Sequence, residues 1–300
     1  MHNGQLLEVN GKKLYVEVSN TTSEKAILYL HGGPGESCFD FTYHQKERLG
    51  KNFQLIAIDQ RGVCRSESIE NDEMFGLDDL VEDCEELRRL LGIEKWSVIG
   101  HSFGGYLAVL YASRYPCSID KVIFEGPTFD FELTAKALLK KTANLFDKYD
   151  MEEWKVKCLE LSDDSACSPR RRVEGYMELS DHLAEHRMEI YTQNFSNPTD
   201  TDLYTDEEWD EFYDKSVIHY KRLRDEGKIF ESALPLLKLI KSPCLLLLGK
   251  YDVVTCPIQI QAYLNDVQYG EIYTFNNSGH TPHYESADEF CDLVIEYLKK

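Results

Sequence analysis

The sequence predicts an α/β fold: a mostly parallel twisted sheet with helices on both faces and an α-helical lid inserted into it. Three observations carry this. Short apolar runs bounded by turn residues alternate with segments of helical periodicity, the pattern of parallel strands covered on both faces. That rhythm stops over residues 128–235 and then resumes. And "GHSFGG" at 100–105 sits on the joint between one apolar run and the next helix.

Residues 6–9 and 14–18 read as strands around Asn10-Gly11, a hairpin turn signal. Residues 26–30 and 53–58 are the next strands, and "FTYHQKERLG" between them is a helix ended by Gly50. Apolar residues at 77, 80, 81, 84, 87, 90 and 91 recur with helical spacing, and Gly92 stops that helix. Then follow a strand at 97–99, a helix at 104–115 closed by Pro116, and a strand at 121–125. After the interruption come a strand at 244–249, a helix through 258–264, a strand at 271–275 and a final helix at 287–298. Residues 1–127 and 236–300 are thus expected to form one core. The lid, 128–235, is rich in acidic and aromatic helical stretches such as "EEWDEFYDKSVIHYKRLRDEG". It carries half the chain's net charge of −20.

That acidity argues against a nucleic-acid partner, since phosphate contacts need a basic surface. A surface this acidic is expected mainly to keep the protein solvated, and it is also compatible with substrates that bring a positive charge. The N-terminal stretch "MHNGQLLEVNGKKLYVEV" has no basic segment followed by an apolar one, and no apolar run reaches membrane-spanning length. Nine cysteines without C-x-x-C spacing read as reduced thiols. Together these place the expected location in the cytoplasm, with no membrane partner.

The serine in "GHSFGG" carries the chemistry. A Gly-x-Ser-x-Gly run on a strand-to-helix turn exposes the serine hydroxyl as a nucleophile. Ser102 then needs a base and an orienting acid, in the chain order Ser, Asp/Glu, His. "LLLLGKYDVV" places Asp252 just past an apolar strand, where residues face the ligand crevice. "YTFNNSGHTPHYE" places His280 in the loop after the last strand, with His283 as the rival base. His31 and His101 adjoin motifs and read as structural, with rings bonded to loop backbone. The oxyanion hole is expected from the N–H of Phe103, after the nucleophile, and that of Gly33 in "HGGPG". There is no H-E-x-x-H run and no phosphate loop, so no metal or nucleotide cofactor is called for.

Taken together, "LHGGPG" at 30–35, "AIDQRGVCRS" at 57–66, "GHSFGG" at 100–105, "GKYDVV" at 249–254 and "SGHTPH" at 278–283 resemble the prolyl aminopeptidase (proline iminopeptidase) family of α/β-hydrolases. The resemblance runs along the whole chain. It implies release of N-terminal residues, proline especially, from short peptides through an acyl-enzyme. It also implies carboxylates that hold the free α-ammonium, for which Glu226 and Glu231 are the lid candidates. Two positions depart from the family's pattern. Cys64 stands where it usually has glycine, and Val253 stands where some members carry a glutamate that anchors the amine. The alternatives are a lidded carboxylesterase or other small-molecule hydrolase, taking a small acyl substrate, and a non-catalytic ligand-binding relative. The requirement for a free amine separates the first two.

Overall fold

The computed structural model describes residues 4–70 and 72–300. Among them eight strands form one sheet in the order β1-β2-β4-β3-β5-β6-β7-β8. The hairpin β1 (Gly4–Val9) and β2 (Lys12–Ser19) turns through Asn10 at φ 47 and Gly11 at φ 75. Both residues at positive φ match the two-residue turn whose twist suits a hairpin. β2 pairs antiparallel with β4 (Gln54–Ile58), and every later pairing is parallel. These later strands are β3 (Ala26–Leu30), β5 (Trp96–His101), β6 (Ile119–Glu125), β7 (Cys244–Gly249) and β8 (Gly270–Phe275).

The central parallel strands, β3, β5, β6 and β7, are largely buried on both faces, and side-chain alternation divides them between two cores. Leu28 and Leu30 of β3 pack with α2 (Leu77–Leu90) and α3 (Phe103–Arg114) through residues such as Leu87 and Val109. Ile27 and Tyr29 pack on the other face with α1 (Phe39–Leu49) and a C-terminal helix, Ala287–Lys299, through Phe41 and Phe290. Tyr29 and Phe41 stack with centroids 3.6 Å apart. Fully burying an apolar side chain of this size contributes about 1.5–3 kcal/mol, so the two layers clamp the central strands.

Between β6 and β7 lie four helices: α4 (Phe131–Lys148), α5 (Glu152–Asp163), α6 (Pro169–Ser180) and α7 (Asp206–Glu226). α4 starts where the Asp130 carboxylate accepts from Leu133 N at 2.9 Å, a cap that contributes about 1 kcal/mol. It packs against α5 and α6. α7 opens with a capping box at Thr205 and Glu208, and Gly227 at φ 87 ends it. α8 (Pro257–Asp266), the short α9 (Pro282–Glu285) and α10 (Ala287–Lys299) complete the chain. No described helix is long and apolar enough to cross a membrane, and the nine cysteines are unpaired.

The strand order changes direction at β3 and β5. From β3 the chain passes outward to β4, then returns across β3 to β5 and runs the other way. Loops leaving β3 and β5 therefore diverge, and ligands bind in the crevice so formed. Both "HGGPG" and Ser102 sit there.

Candidate active site

Ser102 caps α3 at φ 54, ψ −116, a conformation L-residues rarely adopt. Its surroundings over-determine it. Ser102 N donates to Glu125 O at 3.0 Å, and Ser102 O accepts from Gly105 N at 2.9 Å and Thr128 N at 3.1 Å. The flanking glycines are required by close approach. A Cβ on Gly100 would lie 2.4 Å from Gly104 O, and one on Gly104 would lie 2.0 Å from Leu30 O. The first N–H groups of α3, beginning with Phe103, open beside the serine, and such groups have no intrahelical acceptor.

His280 follows β8, and its Nδ1 lies 3.2 Å from Asp252 Oδ2. Facing a carboxylate, Nδ1 carries the proton. The other Asp252 oxygen accepts from Val254 N at 2.8 Å, which fixes the carboxylate. Room for the pair comes from Gly126 at φ 48, where a Cβ would stand 2.8 Å from His280 Nδ1 and 3.0 Å from Asp252 Oδ2. Burial lowers the His280 pKa, but Asp252 with Glu36 and Glu125 outweighs it, so the net shift is upward.

His283 occupies a different environment. Its Nδ1 meets Glu125 Oε1 at 3.0 Å and its Nε2 meets Asp40 Oδ2 at 2.8 Å. Burial again lowers the pKa, and the two carboxylates push it up to about 10. This ring is an imidazolium near neutrality and cannot accept a proton there. The two histidines beside the motifs, His101 and His31, are held neutral by burial. Burial takes His101 well below its ordinary value, and its Nε2 donates to His280 O at 3.2 Å. His31, lowered by burial to about 4, accepts from Gln60 N at 2.9 Å and turns Nδ1 toward Gly32 O at 3.0 Å. Both therefore shape loops.

"DQRG" is structural too. Buried Asp59 accepts from Arg65 Nε at 2.7 Å and from Cys38 N at 2.9 Å, and Arg61 Nη2 donates to Asp83 at 2.7 Å. Cys64 stands at φ 46, the region that favours glycine. Burial pushes its thiol up to about 12.

Ser102, Gly33 and His280 line one cavity of about 1100 Å³, roofed by lid residues that include Tyr176, Tyr191 and Phe212. Asp252 sits behind His280, and Phe103 lies buried beneath the serine. Glu226 and Glu231 do not line this cavity, which corrects the expectation from the lid's composition. The Glu226 carboxylate instead accepts from Leu77 N at 3.0 Å, at the start of α2, and pairs with Lys228 at 3.2 Å. Glu231 is exposed and offers its backbone oxygen to Tyr106 Oη at 3.0 Å. The carboxylates that do line the cavity are Glu36, Asp40 and Asp210. Sequence reasoning passed over them, although Glu36 directly follows "HGGPG".

A family model of the alpha/beta hydrolase fold matches residues 25–287. The chain belongs to the α/β-hydrolase family, and by class it is a serine hydrolase. Within that family it is similar to a proline iminopeptidase of Heyndrickxia coagulans, 25% identical over 275 residues, 91% of this chain and 90% of that one. A crystal structure of a proline iminopeptidase from Mycobacterium smegmatis has the same fold, with a TM-score of 0.71 at 16% identity over 99% of this chain and 98% of that one. An esterase from Exiguobacterium antarcticum shares it as well, at 0.67 and 17%, covering 99% of this chain and all of the other.

Proposed function

We propose that this protein is an aminopeptidase that releases N-terminal residues, proline by preference, from short peptides in the cytoplasm. The observation that carries the reading is one cavity holding both Ser102, set on its strained elbow, and His280, with Asp252 on the far ring nitrogen. Curated relatives named as proline iminopeptidases support the peptide substrate.

With Nδ1 held by Asp252, Nε2 is the nitrogen left to serve Ser102. It takes the Oγ proton as Oγ attacks the carbonyl carbon of the first residue. The tetrahedral oxyanion accepts hydrogen bonds from Phe103 N–H and Gly33 N–H. The protonated ring then gives its proton to the departing amine, and the C–N bond breaks to leave an acyl-serine. Water, deprotonated by the same nitrogen, attacks that ester and restores Ser102. Each such donor in an oxyanion hole contributes about 3–4 kcal/mol to the barrier reduction.

The test compares kcat/KM for a prolyl amide with a free amine and for its N-acetylated form. An ammonium paired in a desolvated cavity contributes about 2–5 kcal/mol, so the free amine should be preferred by at least about tenfold. Alanyl and leucyl amides in the same assay rank the side chains. Equal rates for free and acetylated substrates would replace this reading with the carboxylesterase alternative, which shares every chemical step.

A further inference from the structure

We propose that Glu36, in the loop leaving β3, is the residue that receives the substrate's α-ammonium group. This rests on the aminopeptidase reading and goes beyond it by moving the amine anchor from the lid to the core. Glu36 follows the proposed oxyanion loop, lines the cavity and is exposed. Among the described residues no hydrogen bond or ion pair of its own neutralises it, and desolvation by the surrounding cavity wall raises its pKa. Arg187, a cation lining the same cavity, is already paired with Asp181 at 3.1 Å. An exposed carboxylate in a cavity wall with no counter-ion of its own is open to pair with a cationic substrate, and the pairing strengthens as the bound substrate displaces water.

The placement suits an α-amino group in particular. A carbon on Gly32 Cα would lie 2.7 Å from Glu36 Oε2 and 3.1 Å from Ser102 Cβ. The carboxylate oxygen therefore lies within about 6 Å of the serine Cβ. In an aminoacyl substrate the ammonium is two bonds from the attacked carbon, about 2.5 Å away. A charge-assisted hydrogen bond adds about 2.8 Å. An anchor on the order of 5 Å from the attacked carbon is thus required, and a carboxylate this close to Ser102 is in that range. An acylated nitrogen carries no charge for it, so internal peptide bonds are rejected by the same group.

The other cavity carboxylates fit less well. Asp40 is occupied by His283 at 2.8 Å and by Thr199. Asp210 lies on α7, whose Ser216 backbone oxygen would be 3.1 Å from a Cβ on Gly35. Asp210 is six residues earlier, so about 9 Å along the helix axis.

The test reads a ratio: kcat/KM for prolyl amide divided by that for the same-sized cyclopentanecarboxylic amide, which lacks the amine. It is measured in wild type, Glu36→Gln and Asp210→Asn. The expected result is a wild-type ratio of at least about ten, falling at least about tenfold in Glu36→Gln and holding in Asp210→Asn. If Glu36→Gln does not accumulate folded, Glu36→Asp keeps the charge one methylene back and should give a ratio between the two. A wild-type ratio near one would sink the aminopeptidase reading itself. A high wild-type ratio that survives Glu36→Gln, or that collapses in Asp210→Asn, would overturn the assignment to Glu36 and leave the aminopeptidase reading standing.

Discussion

His280 and His283 lie three residues apart, both deeply buried, and differ in the number of carboxylates on the ring. His280 has one, Asp252, on Nδ1. His283 has two, Glu125 and Asp40, one on each nitrogen. A single carboxylate fixes the tautomer and leaves the second nitrogen free to exchange a proton. A second carboxylate ends that exchange, because each charge state of the ring is then tied to the pair. The His101 ring, 4.7 Å from His280 and 5.3 Å from His283 by centroid, touches both and stays neutral. In the proposed mechanism, what suits His280 to be the base is its nitrogen free of a carboxylate.

The largest test of that contrast is loss of the groups assigned to chemistry. Ser102→Ala and His280→Ala should each reduce kcat by on the order of 10⁶, as removal of a nucleophile or its base does elsewhere, with circular dichroism unchanged. Retention of a tenth of wild-type turnover in either would remove that residue from the mechanism.

His283→Gln should fail in the other direction. It strips Glu125 and Asp40 of their cation, and breaking a buried pair costs about 3–5 kcal/mol of stability, while the proposed triad keeps all its members. The cost should depend on pH. A histidine raised in the folded state contributes its full stability below its unfolded value of about 6.5 and loses it as pH rises through its folded value. The gap between wild-type and variant unfolding free energies should thus narrow from pH 6.5 toward about 10. A gap constant over that range, in urea titrations, would mean His283 is not the charged partner.

For His280 the sign runs to activity. A base must be neutral, and its pKa is raised by Asp252, Glu36 and Glu125 against the effect of burial. The acid limb of kcat/KM should therefore have its midpoint above the ordinary histidine value of about 6.5. A midpoint below it would place the limb on another group.

Much of the fold was legible because its signals are local. Asn10-Gly11, Gly92 and Pro116 punctuate the chain where the elements end, and the boundaries of 26–30 and 244–249 coincide with the observed strands. The proposed triad, Ser102, Asp252 and His280, is read from a local motif plus two strand ends in a fixed order. What escaped is set by distant contact. Asp40 and Glu125 reach His283 across 243 and 158 residues, and nothing adjacent to either marks it. Glu226 was misjudged because an acidic lid does not reveal which of its faces meets the core; the answer, the start of α2, is 149 residues away.

The smallest expected effect is at Cys64. Its departure from the family's glycine was visible in sequence, and the structure supplies the consequence, a φ of 46. Cys64→Gly should relieve backbone strain of about 1 kcal/mol or more while giving up a buried thiol. The net change in melting temperature should be within about 5 °C, with kcat/KM close to wild type. A collapse in kcat would assign the side chain, which lines the cavity, a role in binding.

Glu285 holds the base loop and the lid in one grip. Its carboxylate accepts from Gly279 N at 2.9 Å and Thr281 N at 3.1 Å on one side, and from Gln193 N and Asn194 N, both at 2.8 Å, on the other. His280 N adds a bond to Tyr191 O at 2.7 Å. Opening the lid at 191–194 would leave this buried carboxylate short of donors, so the two segments should open as one cooperative unit. In deuterated solvent their amides would then exchange at a common rate, and the enzyme's readiness to take up substrate would be timed by the same event that loosens its base.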